Sequence, residues 1–307
     1  MEMTESRLRR TVQATASRFA MSGKPRIFAI VEGVIGDRPF YDHLLQNLPL
    51  KSEYSYSIRA AQDLKGLRSG GKSLVFAAWE EFTELGYLSV DGLGEAEVLF
   101  FMDRDFRLPG EPEDDKRRIV YTYGCDVESE IFANSDLVRA VSAAFHVSKQ
   151  DVQDLGINRT EIYRDICTSA RGLISLACAS QRCGQTFGLR YADIRVRHSD
   201  DAVSVDTEHI AKSVSAVNGT DAEVLLKSAS EIDWNSLERA SSEWRLVKGK
   251  WVARFIYEYS KILRPKMSLA SNIPQGALLA AAISCMELRP DTIRYYANRV
   301  GSYGILR

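Results

Sequence analysis

No apolar run in this chain approaches the ~20 residues that a membrane-spanning helix needs, which argues against a helical span. The first residues carry Glu2, Glu5, Arg7, Arg9 and Arg10 in place of the apolar core of a secretory signal, so the cytoplasm is the expected compartment. Cysteine is sparse: five residues, at 125, 167, 178, 183 and 285, show neither C-x-x-C spacing nor a neighbouring histidine cluster. An odd count without such spacing excludes a disulfide framework and a Cys/His zinc site, and the thiols read as reduced and mostly structural. The histidines at 43, 146, 198 and 209 likewise lack metal-ligand spacing. Charge bias is absent too, with 40 basic against 41 acidic residues, so nucleic-acid binding would have to rest on a local patch. There is no internal repeat or long low-complexity tract. What remains, 307 residues of which 45% are hydrophobic, is enough to bury one large or two ordinary cores.

The pattern of apolar residues divides the chain near residue 135. Over residues 1–135, strand-like runs alternate with helical periods, the signature of βαβ units and a mostly parallel sheet. Strands are predicted at 26–31, 54–60, 98–102 and 118–123, and helices at 37–48 and 73–85. An N-terminal helix over 4–20, capped at Thr4 or Ser6, would place Leu8, Val12, Ala16 and Phe19 on one face. Residues 136–307 are dominated by helical periods. The expectation is an α/β fold, a mostly parallel sheet flanked by helices, followed by a mainly helical domain.

Two of the predicted strands end in acids. Ile27-Phe28-Ala29-Ile30-Val31 runs into Glu32-Gly33, and Val98-Leu99-Phe100-Phe101-Met102 into Asp103-Arg104-Asp105. A buried parallel strand delivers such a carboxylate to the carboxyl edge of its sheet, where open α/β folds bind ligands. Glu32 stands where packing alone would not ask for charge, and the glycine after it permits a close turn. Asp103 and Asp105, two apart, can converge on one cation at a strand end, with Arg104 directed elsewhere and a candidate for phosphate contact. Magnesium suits a sparse carboxylate site completed by water and phosphate oxygens. Asp37 and Glu128 could extend the set, although Asp37 equally reads as a helix cap and Glu128 as an ion-pair partner.

These residues carry a resemblance. Glu32-Gly33 and Asp103-x-Asp105, with the intervening βα units, resemble the Toprim domain of topoisomerases, bacterial primases and overcoming-lysogenization-defect nucleases. Val31-Glu32-Gly33, Asp37-x-x-Phe40-Tyr41, Gly70-Gly71-Lys72, Met102-Asp103-Arg104-Asp105-Phe106 and Asp126-Val127-Glu128 are together similar to the Toprim-like DUF4435 family. That family includes the nuclease effector of PARIS anti-phage systems, which works beside an ABC-type ATPase. The four residues between Glu32 and Asp37 are one more than its pattern. The resemblance implies phosphodiester cleavage dependent on magnesium or manganese. Glu32 would act as acid/base or metal ligand, Asp103 and Asp105 would hold the ion, and Glu128 would be a further ligand. It also implies a toxic effector released by its partner ATPase, with RNA, and tRNA first, as substrate. A homodimer is compatible with such an effector, and a membrane is not implied.

Other readings stand beside this one. Gly66-Leu67-Arg68-Ser69-Gly70-Gly71-Lys72-Ser73 satisfies the P-loop pattern at the start of a helix, which would make a nucleotide hydrolase. Against it, the preceding strand is polar and alternating, and Gln62-Asp63-Leu64-Lys65 intervenes before the first glycine. A middle reading has Gly70, Gly71 and Lys72 contacting a nucleic-acid phosphate at a helix N-terminus. A third class is a non-catalytic docking module. Between 244 and 266, Trp244, Trp251, Phe255, Tyr257 and Tyr259 interleave with basic residues, which suits either a nucleic-acid surface or an amphipathic helix burying its aromatics. Arg190, Arg195 and Arg197 form a smaller basic group.

Overall fold

A computed structural model describes residues 10–21, 26–65, 71–88, 96–111, 117–184, 196–198, 203–206, 208–209, 222–267 and 275–306. The chain forms two units. One comprises Met1–Asp103, Glu113–Tyr123 and Leu288–Arg307, and the other Arg104–Pro112 and Gly124–Glu287.

In the first unit a short strand β1 (Arg10–Thr11) leads into α1 (Val12–Ala20), which is followed by β2 (Arg26–Val31), α2 (Asp37–Asn47) and β3 (Ser55–Ala60). Then come β4 (Leu64–Lys65), α3 (Lys72–Glu84), β5 (Ala96–Met102) and β6 (Ile119–Tyr121). The four long strands make one sheet in the order β3-β2-β5-β6, and every pair is parallel. The α/β expectation and the strand positions therefore hold. Helix α1 starts later than its periodicity suggests. Thr11, not Thr4 or Ser6, caps it by accepting the Ala14 N–H at 3.2 Å, and Arg10–Thr11 pairs with Leu64–Lys65. Residues 1–9 lie outside the described residues.

Helices cover both faces of the sheet, as parallel strands require. Alternation along β5 sorts them: Phe100 meets Phe82 of α3 at 5.6 Å between ring centroids, while Phe101 meets Tyr41 of α2 at 4.3 Å. Each of these rings is almost wholly buried, and burial of one such side chain contributes about 1.5–3 kcal/mol.

The α2 face also receives α12 (Pro290–Gly301), which corrects the boundary at residue 135. Tyr296 packs edge-on against Phe40 and Tyr41, its hydroxyl accepts the Tyr123 N–H, and the Tyr295 hydroxyl donates to the Tyr121 carbonyl. Residues 288–307 thus belong to the sheet unit, while residues 124–135 belong to the other. Aromatic periods within a helix do not reveal which sheet they will cover.

The second unit is mainly helical. It contains α4 (Val127–Ala133), α5 (Leu137–Phe145), α6 (Lys149–Asp154), α7 (Arg159–Arg182), α8 (Ala222–Ser230), α9 (Trp234–Arg239), α10 (Gly249–Met267) and α11 (Gln275–Ser284). An antiparallel hairpin, β7 (Val196–His198) with β8 (Val203–Val205), accompanies them. Asp126, Asp136, Ser148, Asn158 and Asp233 each cap a helix through a side-chain oxygen, so local chemistry fixes where these helices begin. Among the described residues no helix is long and apolar enough to cross a membrane.

Candidate functional site

Strand order identifies the edge where a ligand would be held. From β2 the chain moves outward to β3 and then returns past β2 to β5, so the topology reverses between β2 and β5, the point where open α/β sheets bind ligands beyond their carboxyl ends. Ile30 pairs with Phe100, and the first residues past the two strands are Glu32 and Asp103. Both are half-buried. The Asp103 N–H donates to Glu32 Oε1 at 3.2 Å, which ties the glutamate carboxylate to the neighbouring strand end.

Two further groups in this unit order the edge. Gly71, with φ +57° and ψ −138°, precedes α3 in a conformation that only glycine adopts without strain, and a Cβ on it would lie 3.8 Å from Glu32 Oε2. Lys72 opens α3. Its ammonium donates to the Asp103 carbonyl at 2.6 Å and sits 5.6 Å from the centre of the Tyr121 ring. The lysine expected to meet a phosphate is thus directed at the main chain of the acidic strand end. Asp37 is the first residue of α2, with Gly36 as the cap, and its Oδ2 accepts the Gly33 N–H at 2.5 Å. It closes the turn that carries Glu32. Gly70 and the rest of the P-loop pattern before Gly71 lie outside the described residues. Between β3 and that segment stand a 3-10 turn (Ala61–Asp63) and β4, whereas a P-loop follows its strand directly.

Asp105, Arg104 and Glu128 belong to the second unit. Asp105 has φ +56°, so the strand alternation that would aim it with Asp103 ends before it. Its N–H donates to the Cys125 carbonyl at 2.8 Å, and Lys248 Nζ lies 3.8 Å from its Oδ1. Arg104, expected at a phosphate, is only 3% exposed, and its carbonyl accepts from Gln181. Glu128 lies in the first turn of α4, two residues after Asp126, whose carboxylate takes the N–H groups of Ser129 and Gly249. Burial, then the adjacent Glu128, pushes the Asp126 carboxyl up to about 7, while the two N–H donors and Lys248 oppose the shift. Periodicity alone does not mark Asp126 as buried, but the Asp-x-x-Ser capping pattern does mark its place.

The aromatics of the 244–266 segment resolve in favour of a packed helix: Trp244, Trp251 and Phe255 are buried, and the Trp251 ring packs 5.8 Å from Phe106. Arg190 and Arg195 lie outside the described residues. Among the described residues no three His, Cys, Asp or Glu side chains form a group that could hold a metal by themselves. Magnesium demands less, one or two carboxylates with its other ligands from water and substrate phosphate, and Glu32 and Asp103 put two carboxyl residues at adjacent strand ends. No protein-family model matches the chain, no curated protein matches it, and no solved structure matches it.

Proposed function

We propose that the chain is a metal-dependent nuclease of the Toprim type whose working edge is formed by Glu32 and Asp103. One observation carries this reading: two carboxylates at the ends of adjacent parallel strands, at the point where strand order reverses, joined through the Asp103 N–H. Magnesium or manganese held there would polarise the phosphate and activate water. Glu32 then serves as ligand or acid/base, Asp103 as ligand, Lys72 as the anchor of the Asp103 main chain, and Asp37 as the clasp of the Glu32 turn. Asp105 and Glu128 are ligands in the family resemblance alone, and the reading does not rest on them. The same resemblance supplies the setting: a cytoplasmic effector of anti-phage defence, released by an ABC-type ATPase, acting on RNA and first on tRNA.

The test compares wild type, Glu32→Gln and Lys72→Ala for both nucleic-acid cleavage and nucleotide hydrolysis, with and without a candidate ATPase partner and its trigger. Glu32→Gln is expected to lower cleavage by about 10²–10⁴-fold, the usual contribution of a positioned acid/base group. Lys72→Ala alone does not separate a nuclease from a nucleotide hydrolase, because its ammonium holds Asp103. Nucleotide hydrolysis that survives Glu32→Gln, with no cleavage by any form, would sink the nuclease reading.

A further inference from the structure

Among the described residues strand β3 is an outer strand of the sheet, and its sequence alternates Ser55, Ser57 and Arg59 with Tyr56 and Ile58. Register pairs Ser55 with Arg26, Ser57 with Phe28 and Arg59 with Ile30. Because paired residues share a face, Ser57 and Arg59 stand with Arg26 and Phe28 on the side that α1 covers. The Phe19 ring of α1 stacks on Phe28 at 3.4 Å between centroids, and Arg18 and Ser17 adjoin it. Together these elements line a cavity of about 670 Å³, within the range of small-ligand sites.

Its chemistry is one-sided. Three guanidinium groups, of Arg18, Arg26 and Arg59, border the cavity, and none of the described residues lining it is acidic. The Arg26 Nε donates to Ser55 Oγ at 3.1 Å, and its guanidinium stands 5.9 Å from the centre of the Phe28 ring. Among the described residues no carboxylate forms an ion pair with any of the three. Permanently charged groups gathered round a concavity repel one another and concentrate anions there. Guanidinium forks match phosphate oxygens in pairs, and serine hydroxyls supply further donors.

We propose that this cavity binds a phosphate ester of nucleotide size, supplied either as a free nucleotide or as a segment of a nucleic-acid strand. Neither Glu32 nor Asp103 lines it, so the proposal does not rest on the nuclease reading.

The experiment measures binding of adenosine 5′-monophosphate, adenosine and a short single-stranded RNA to the full chain by calorimetry, with chelator present so that no cleavage occurs. Wild type is compared with Arg18→Ala/Arg59→Ala and with Arg164→Ala, an exposed arginine of the second unit. Arg18 and Arg59 are exposed, so the double variant is expected to keep the melting midpoint of wild type. Binding of the monophosphate but not of adenosine, weakened about 10- to 100-fold in the double variant alone, assigns a free nucleotide as the source. The same weakening confined to RNA assigns a strand. No binding of either, or binding that the double variant retains, overturns the proposal.

Discussion

At the residue scale, the acidic edge depends on what each carboxylate is bonded to. Glu32 takes the N–H of Asp103 and Asp37 takes that of Gly33, so one acid faces the neighbouring strand end and the other orders its own turn. Identical chemistry in the sequence thus divides into an edge residue and a clasp. Asp126 shows a third fate, burial, and that has a consequence for stability. Its folded carboxyl, pushed to about 7, keeps a proton that the unfolded chain loses near pH 4. Its contribution is therefore fully present below pH 4, declines as pH rises from about 4 to about 7, and is constant above. Asparagine preserves the cap and removes the titration. In chelator-treated buffer, the unfolding free energy of wild type minus that of Asp126→Asn should fall by a few kcal/mol between pH 4 and 7. A difference that stays flat across that window would contradict the assignment.

At the element scale, the sheet was readable from sequence because buried parallel strands are continuous apolar runs, and β2 and β5 are such runs. Their terminal acids were readable for the same reason: charge at the end of an apolar run is conspicuous. The start of α1 was harder to place, since periodicity extends past Thr11 while the side-chain cap and the pairing of Arg10–Thr11 end the helix there. The arginine-lined cavity was not legible at all. Its three arginines come from α1, β2 and β3, and only register brings them to one face. Close approach is similarly hidden. A Cβ at Gly249, which opens α10, would stand 2.3 Å from the Glu128 carbonyl carbon and 2.4 Å from the Ser129 nitrogen, both of the α4 main chain. Gly249→Ala should accordingly destabilise the second unit by about 1–3 kcal/mol or more, read as a lower urea midpoint with unchanged slope. An unchanged midpoint would mean that the two helices separate without cost.

At the scale of the whole molecule, the sheet unit is assembled from three separate stretches of chain, and periodicity marks none of these returns. The last stretch reaches back across 185 residues, where the Arg118 N–H donates to the Tyr303 hydroxyl. Deleting Leu288–Arg307 would strip Tyr296 from Phe40 and Tyr41 and expose part of the sheet face that α2 shares with it. Amide exchange in β2 and β5 is then expected to become fast, while that in α7 of the second unit stays slow. Continued protection of β2 in the truncated chain would show that the helix is dispensable to the sheet.

The central claim, that the carboxyl edge of this sheet cuts phosphodiesters, is tested most directly by incubating tRNA, single-stranded RNA and duplex DNA with wild type and Glu32→Gln in magnesium, in manganese and in chelator. Cleavage that needs the metal and is lost in Glu32→Gln is the predicted result. Cleavage that persists in chelator, or equally in Glu32→Gln, would contradict it.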